Sequence, residues 1–207
     1  MSLPRPSKIV CVGRNYAAHA RELGNEIPER PLLFFKPPSA IIADGAPIVL
    51  PRASQRVEHE AEIALVIGQR ARRVKAADAL GLIAGITVAN DVTARDLQKT
   101  DGQWARAKGF DTFCPLGTTV TAGYDLATLE IIGRVNGTVR QHGRIADLLF
   151  PLPVLLEHIT GIMTLEPGDV ILTGTPEGVG PLAPGDVVEV EIPGVATIRN
   201  PVIEDDQ

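Results

Sequence analysis

Three glutamates, Glu58, Glu60 and Glu62, stand at every second position in "VEHEAEIALVIG" (57–68), just ahead of an apolar run. Strand side chains alternate between faces, so a strand here sets all three carboxylates on one face, neighbours roughly 6.5–7 Å apart at Cα. Like charges at that spacing repel, and a hard divalent cation removes the conflict. Mg²⁺ takes oxygen ligands in an octahedron and usually keeps several waters. Asp91, in "ANDVTARD" (89–96), follows an apolar strand-like run and could add a third oxygen donor. Spacing alone leaves open which of the carboxylates bind metal and which form an ordinary acidic strand end or turn.

A second group could move protons. His19 and Glu22 in "HARE" stand at i and i+3, neighbours on one helix face, where the carboxylate would orient the imidazole as a general base requires. Lys108, in the otherwise apolar and glycine-containing "WARAKGFDTFCPLG", could hold a substrate carboxylate or a developing oxyanion. "TGTPEGVG" (173–180) lacks the Gly-Lys-Ser/Thr ending of a phosphate loop. Its backbone N–H groups and Thr175 could still cradle a carboxylate.

These residues need a scaffold of short elements. The chain has 207 residues, with 20 glycines, 17 prolines and few aromatics, which predicts a turn-rich, β-rich fold and argues against a helical bundle. "KIVCVG" reads as a buried strand. "NYAAHARELG" (15–24) reads as a short helix with Asn15 as its cap. Residues 57–68 read as one strand, and Ala76 to Leu82 as an amphipathic helix running into the strand-like "GITVAND". Asn136-Gly137 predicts a type I′ hairpin turn, and "PLPVLLEHITGI" (151–162) a helix with proline in its first turn. "EPGD" and "APGD" are two similar turns, each leading into a strand. With no linker, one domain is expected over 1–207.

Bulk properties exclude several function classes. The formal charge is −5, and the one basic cluster, "RARRVK" (70–75), has no interleaved aromatics, so nucleic-acid binding is not expected. No apolar run approaches the roughly 18–20 residues of a membrane span. The N-terminus lacks a secretory h-region, so a cytoplasmic protein is expected. Cys11 and Cys114 form no CxxC pattern and read as ordinary, semi-buried thiols in a reducing compartment.

Seven motifs in order, "VGRNYAAHARELG", "PLLFFKP", "HEAEIALVIG", "AGITVANDVTARDLQ", "WARAKGFDTFCPLG", "VNGTVRQ" and "LEPGDVILTGTPEGVG", span nearly the whole chain. Together they resemble the fumarylacetoacetate hydrolase superfamily, in its short, single-domain, acylpyruvase-like form. The resemblance implies an α+β, predominantly β fold: a mixed β-sandwich roll with a few short helices, usually dimeric. It places the metal ligands at Glu60, Glu62 and Asp91, leaving Glu58 on a solvated strand edge. It implies Mg²⁺, with Mn²⁺ as the alternative, and a catalytic His19–Glu22 pair on a lid segment of about 14–30. Lys108 matches the active-site lysine. Thr175, Arg95, Gln98 and Arg14 match positions near the substrate, and Asn15 is a further candidate pocket residue. The implied reaction is hydrolysis of the C–C bond of 2,4-dioxo acids such as acetylpyruvate or fumarylpyruvate, giving pyruvate and a carboxylic acid. The alternatives on the same site are oxaloacetate decarboxylase or tautomerase and 2-hydroxyhepta-2,4-diene-1,7-dioate isomerase/decarboxylase. Fumarylacetoacetase itself has an N-terminal domain and a further aspartate ligand with no counterpart in this sequence, so three protein ligands are expected and fumarylacetoacetate is disfavoured as substrate.

Overall fold

Two five-stranded sheets dominate the computed structural model, which describes residues 5–118 and 120–205. The first runs in the order Leu32–Lys36, Ile9–Gly13, Val170–Leu172, Ala61–Ile67, Ile83–Asn90. The second runs Thr138–Arg144, Glu130–Val135, Val187–Ile192, Ala196–Glu204, Ile48–Leu50. Strand Val187–Ile192 packs against Ala61–Ile67 and Ile83–Asn90, so the two sheets enclose one core. The expected mostly β architecture with a few short helices is what forms.

The apolar run after the glutamates is buried on both faces, as its lack of alternation implies. Ile63, Leu65 and Ile67 enter the main core with Val188, Val190 and Ile198. Ala64 faces the other way, into a smaller cluster with Ile9, Cys11, Cys114 and Leu116. Both thiols are free and wholly buried, deeper than the semi-buried placement expected. Burial pushes both up, Cys114 to about 12.

Strand directions bring the functional ends together. Ile9–Gly13 and Val170–Leu172 are parallel, so Val12, Gly13 and Arg14 leave the sheet beside Thr173 and Thr175. Ala61–Ile67 runs antiparallel to Val170–Leu172, which brings its N-terminal glutamates to the same end. Its other neighbour, Ile83–Asn90, pairs Asn90 with Ala61 and delivers Asp91 there.

Turns fall where local chemistry demands. Asn136 and Gly137 both have positive φ, 51° and 76°, as a type I′ hairpin requires. The aspartates of the two Pro-Gly-Asp turns act alike: Asp169 accepts from Glu166 N and Asp186 from Ala183 N, each at 2.8 Å. The basic cluster is tied to the protein, with Arg70 on Glu166, Arg72 on the carbonyls of Thr160 and Gly161, and Lys75 on Glu157.

Two local expectations need correction. The helix near His19 spans only Ala17–Glu22, and Asn15 does not cap it. Asn15 instead donates to Thr173 O at 2.8 Å and accepts from Phe150 N at 2.9 Å, tying the two loops of the site together. Residues 57–68 are also not one strand. They divide into Val57–His59, in a three-stranded sheet with Thr93–Ala94 and Gly180–Pro181, and Ala61–Ile67 in the main sheet. Glu60 sits at the break, its N–H donating to Asn90 Oδ1 and its carbonyl accepting from Asp91 N. Among the described residues no helix is long and apolar enough to cross a membrane.

Candidate active site

A cavity of about 250 Å³ opens where these strand ends meet. Its wall includes Arg14, His19, Glu60, Glu62, Arg95, Gln98, Lys108 and Thr175, eight of the residues singled out from sequence. Asn25, Lys99, Phe34 and Trp104 complete much of the remainder.

Glu60, Glu62 and Asp91 converge as expected: each offers a ligand oxygen within 4.8 Å of the others, and all three are buried. They are not equally neutralised. Glu60 meets Lys108 Nζ at 2.8 Å and also accepts from Arg95 Nη2. Asp91 takes Lys108 Nζ and Lys36 Nζ, each at 2.7 Å. Among the described residues Glu62 has only the N–H of Gly174, at 2.7 Å. The consequences are opposite. Burial would raise the Glu60 carboxyl, but Lys108 and Arg95 outweigh it and hold Glu60 well below the usual range. Glu62 is pushed well up, by burial first and then by the negative charges of Asp91 and Glu60. A buried carboxylate facing two others needs positive charge, and each carboxylate oxygen has lone pairs beyond those its cationic partners use. The all-oxygen, anionic donor set therefore fits a hard divalent cation.

Lys108 is 1 % exposed, with its ammonium 4.8 Å from the centre of the Phe34 ring. Burial works to lower its pKa, but Asp91 and Glu60 overcome that and raise it, so it is a fixed positive charge at the cavity wall. His19 is buried and its Nδ1 lies 3.2 Å from Glu22 Oε2. The other oxygen of Glu22 accepts from Gly178 N at 3.0 Å. That contact depends on glycine: Gly178 has φ +96°, and a Cβ there would lie 1.9 Å from Arg140 O. Gly174, at φ +106°, is similarly confined, since a Cβ would come within 2.8 Å of Asn15 Cβ.

Thr175 is present but its hydroxyl is occupied. It donates to Ala61 O at 2.9 Å and accepts from Gln141 Nε2 at 2.7 Å. Gln141 Oε1 also accepts from Ala61 N, so one buried amide clamps the Thr175 loop to the strand that carries the glutamates.

Glu58 overturns the expectation of a solvated edge. It is 1 % exposed and takes Arg95 Nε on Oε2 at 2.7 Å and Arg56 Nε on Oε1 at 2.6 Å. The strand break at Glu60 sends its side chain beneath Arg95, which bridges Glu58 and Glu60 and also donates to Gln98 Oε1 at 2.6 Å. Glu58 holds the guanidinium that holds Glu60.

Sequence reasoning also passed over Lys36 and Gln141. A lysine inside the apolar strand "LLFFK" was an available signal, because a buried ammonium requires a carboxylate partner. Gln141 gave less sign, being one of several polar residues on the outer hairpin strand.

Comparison with known families decides the kinship: the model of the fumarylacetoacetate hydrolase C-terminal domain matches residues 8–203. The chain belongs to this family. Its named relatives are enzymes. The fumarylacetoacetate hydrolase family chain is 47 % identical to the mitochondrial oxaloacetate tautomerase FAHD1 of Arabidopsis thaliana, covering 93 % of this chain and 89 % of that protein. It is 44 % identical to the mitochondrial oxaloacetate decarboxylase of Dictyostelium discoideum, covering 92 % and 90 % respectively. Among solved structures, 5-carboxymethyl-2-hydroxymuconate delta-isomerase from Mycobacterium smegmatis superposes with a TM-score of 0.92 at 49 % identity, over all of this chain and 83 % of that one.

Proposed function

We propose that this family member is a divalent-metal-dependent enzyme of 2-oxo acids whose central step is proton transfer at C3, interconverting keto and enol forms. The observation that carries this reading is His19, paired with Glu22, on the same cavity wall as Glu60, Glu62 and Lys108. Simple loss of CO₂ from a 3-carboxylated 2-oxo acid needs no base, whereas enolisation does. The relatives named as tautomerase and isomerase favour the same chemistry.

Glu60, Glu62 and Asp91 would hold the cation, Mg²⁺ or Mn²⁺ by their hard oxygen donors. When bound, it would supply Lewis-acid polarisation of the 2-oxo group and neutralise developing negative charge. With Nδ1–H donating to Glu22, His19 keeps the Nε2 lone pair for substrate. Nε2 takes the C3 proton. The C–H electron pair becomes the C2–C3 double bond, and the carbonyl pair moves onto O2. The imidazolium, stabilised by Glu22, then returns its proton to O2, completing the enol. The third N–H of Lys108, beyond those on Glu60 and Asp91, has no acceptor among the described residues and can bind a substrate oxygen.

Hydrolysis of acylpyruvates is a second reading, favoured by one observation: Glu22 is about a third exposed, so the pair reaches solvent and could deprotonate water. Water would add at C4, the C3–C4 bond would break with its electron pair going to C3, and C3 would take a proton to give pyruvate beside a carboxylic acid.

One comparison separates these readings. Oxaloacetate tautomer exchange, CO₂ release and acetylpyruvate cleavage are followed with Mg²⁺, with EDTA and in His19→Asn. The expected result is metal-dependent tautomer exchange that His19→Asn slows by about 10²-fold or more. Rapid acetylpyruvate cleavage with tautomer exchange no faster than in buffer would replace the first reading by the second.

A further inference from the structure

The cavity at the strand ends has a neighbour. A separate groove of about 380 Å³ lies beside it, lined by Leu32, Leu33, Phe35, Gln103 and Ala105. Among the described residues the two share Phe34 and Trp104 and no others. Their chemistry differs. His19, Glu60, Glu62, Arg95 and Lys108 make the cavity polar, whereas leucine and phenylalanine dominate the groove.

The shared pair is held from several sides. The ring centres of Phe34 and Trp104 stand 5.1 Å apart with their planes at 70°, an edge-to-face arrangement. The Lys108 ammonium lies over Phe34, 4.8 Å from its ring centre. The indole also lies against Gly13, where a Cβ would come within 3.2 Å of it, so glycine leaves the space that the ring fills. Trp104 O accepts from Lys108 N at 3.0 Å, which ties the indole's backbone to the short helix Ala105–Gly109 that carries the ammonium. The partition and the fixed charge of the cavity wall therefore belong to one structural unit.

We infer that Trp104 is a specificity-determining residue: it closes the polar cavity on the groove side and limits the length of the tail that a 2-oxo acid can carry beyond C3. The assignment rests on the 2-oxo acid reading above and adds a length limit to it. With the 2-oxo acid end at Glu60, Glu62 and Lys108, a tail growing past Phe34 meets the indole. A longer tail must push the indole off Phe34 and Gly13, and loss of the aromatic pair alone costs about two- to tenfold in affinity. Without the indole, cavity and groove would join. The tail would then be buried against Leu33 and Phe35, each methylene gaining about fourfold.

Calorimetry on Mg²⁺-loaded protein tests this with oxalate, which reports on the 2-oxo acid end alone, and with 2-oxovalerate and 2-oxooctanoate, which differ by three methylenes. The quantity read is the affinity ratio of the two longer acids, so a general loss of binding in a variant does not enter it. Wild type should bind 2-oxooctanoate at least about fivefold more weakly than 2-oxovalerate. Trp104→Ala should reverse the order, with 2-oxooctanoate at least about tenfold tighter. Trp104→Leu should move the ratio the same way by less, and it keeps the test valid if the alanine variant misfolds. Ala105→Phe, at an exposed position lining the groove, should cancel the reversal when added to Trp104→Ala, which separates occupation of the groove from a merely loosened cavity. Wild-type affinity for 2-oxooctanoate equal to or above that for 2-oxovalerate, a ratio unmoved by both Trp104 variants, or a reversal that survives Ala105→Phe overturns the role of Trp104. Failure of wild type to bind oxalate at all would instead overturn the 2-oxo acid reading beneath it.

Discussion

Replacing Glu58 by glutamine should destabilise the protein as a buried change does, although its position in an acidic strand suggests a solvated one. Glu58 makes two charge-assisted hydrogen bonds of unequal worth. Its bond to Arg56 joins it to a side chain that is 57 % exposed, and such a contact contributes at most about 1 kcal/mol. Its bond to Arg95 joins two side chains at 1 % and 3 % exposure. Removing one partner of a buried pair costs about 3–5 kcal/mol when the other is left alone. Arg95 is not left alone, because Glu60 and Gln98 still receive it, and glutamine keeps one acceptor oxygen. The cost should fall to about 2–3 kcal/mol, the range of a lost charged hydrogen bond. For a chain of this size that lowers Tm by about 4–12 °C. Urea unfolding at fixed Mg²⁺ measures it directly. Glu58→Gln in an Arg95→Met background should cost at least about 1 kcal/mol less than in wild type, since neighbouring partners couple. Stability within about 0.5 kcal/mol of wild type would refute the argument and return Glu58 to the role of a surface charge.

Glu60→Ala should abolish measurable Mg²⁺ binding by calorimetry, whereas Glu58→Gln should retain it within about tenfold; equal losses would mean that Glu58 is itself a ligand. Gly178→Ala forces a Cβ against Arg140 O and displaces the N–H that anchors Glu22, so it should lower kcat by about tenfold or more with a smaller change in KM. Loss confined to thermal stability would separate that loop from the His19 base. Asp169, buried at its side chain, has a depressed pKa: burial opposes the shift, but the bonds from Glu166 N, Lys8 and Ser7 outweigh it. A depressed carboxylate contributes stability above its unfolded pKa of about 4 and loses it as pH falls through the lower folded value. The stability gap between wild type and Asp169→Asn should therefore be largest near pH 7 and shrink below about pH 4 in urea titrations; a gap independent of pH would show that the charge contributes nothing.

Elements governed by short-range chemistry were legible in the residues. The Asn136-Gly137 hairpin follows from two adjacent positive-φ positions, and the 151–162 helix from its proline start and apolar spacing. The buried strand Ala61–Ile67 follows from an unbroken apolar run. His19 and Glu22 could be paired because one helical turn sets their separation. Glu60 and Glu62 could be placed on one face because a strand repeats every two residues. The choice of those two over Glu58 came from the motif "HEAEI", since spacing makes all three equivalent.

What spacing could not supply was the break at Glu60. There Glu60 bonds to partners 30 and 31 residues away in the chain: Asn90, which accepts from Glu60 N, and Asp91, which donates to Glu60 O. With that break, Glu58 pairs with Arg95, and an expected surface carboxylate becomes a buried support for Glu60. Lys36 reaches Asp91 across 55 positions, and Gln141 reaches Thr175 across 34, contacts that no local pattern encodes. Glu60, Glu62, His19 and Glu22 could be read from the residues, because side-chain identity and local periodicity are local properties. The roles of Lys36 and Glu58, and which acids are neutralised, came from the assembled fold. Charge compensation in a buried site depends on distances through space, and these are set by how the strands assemble.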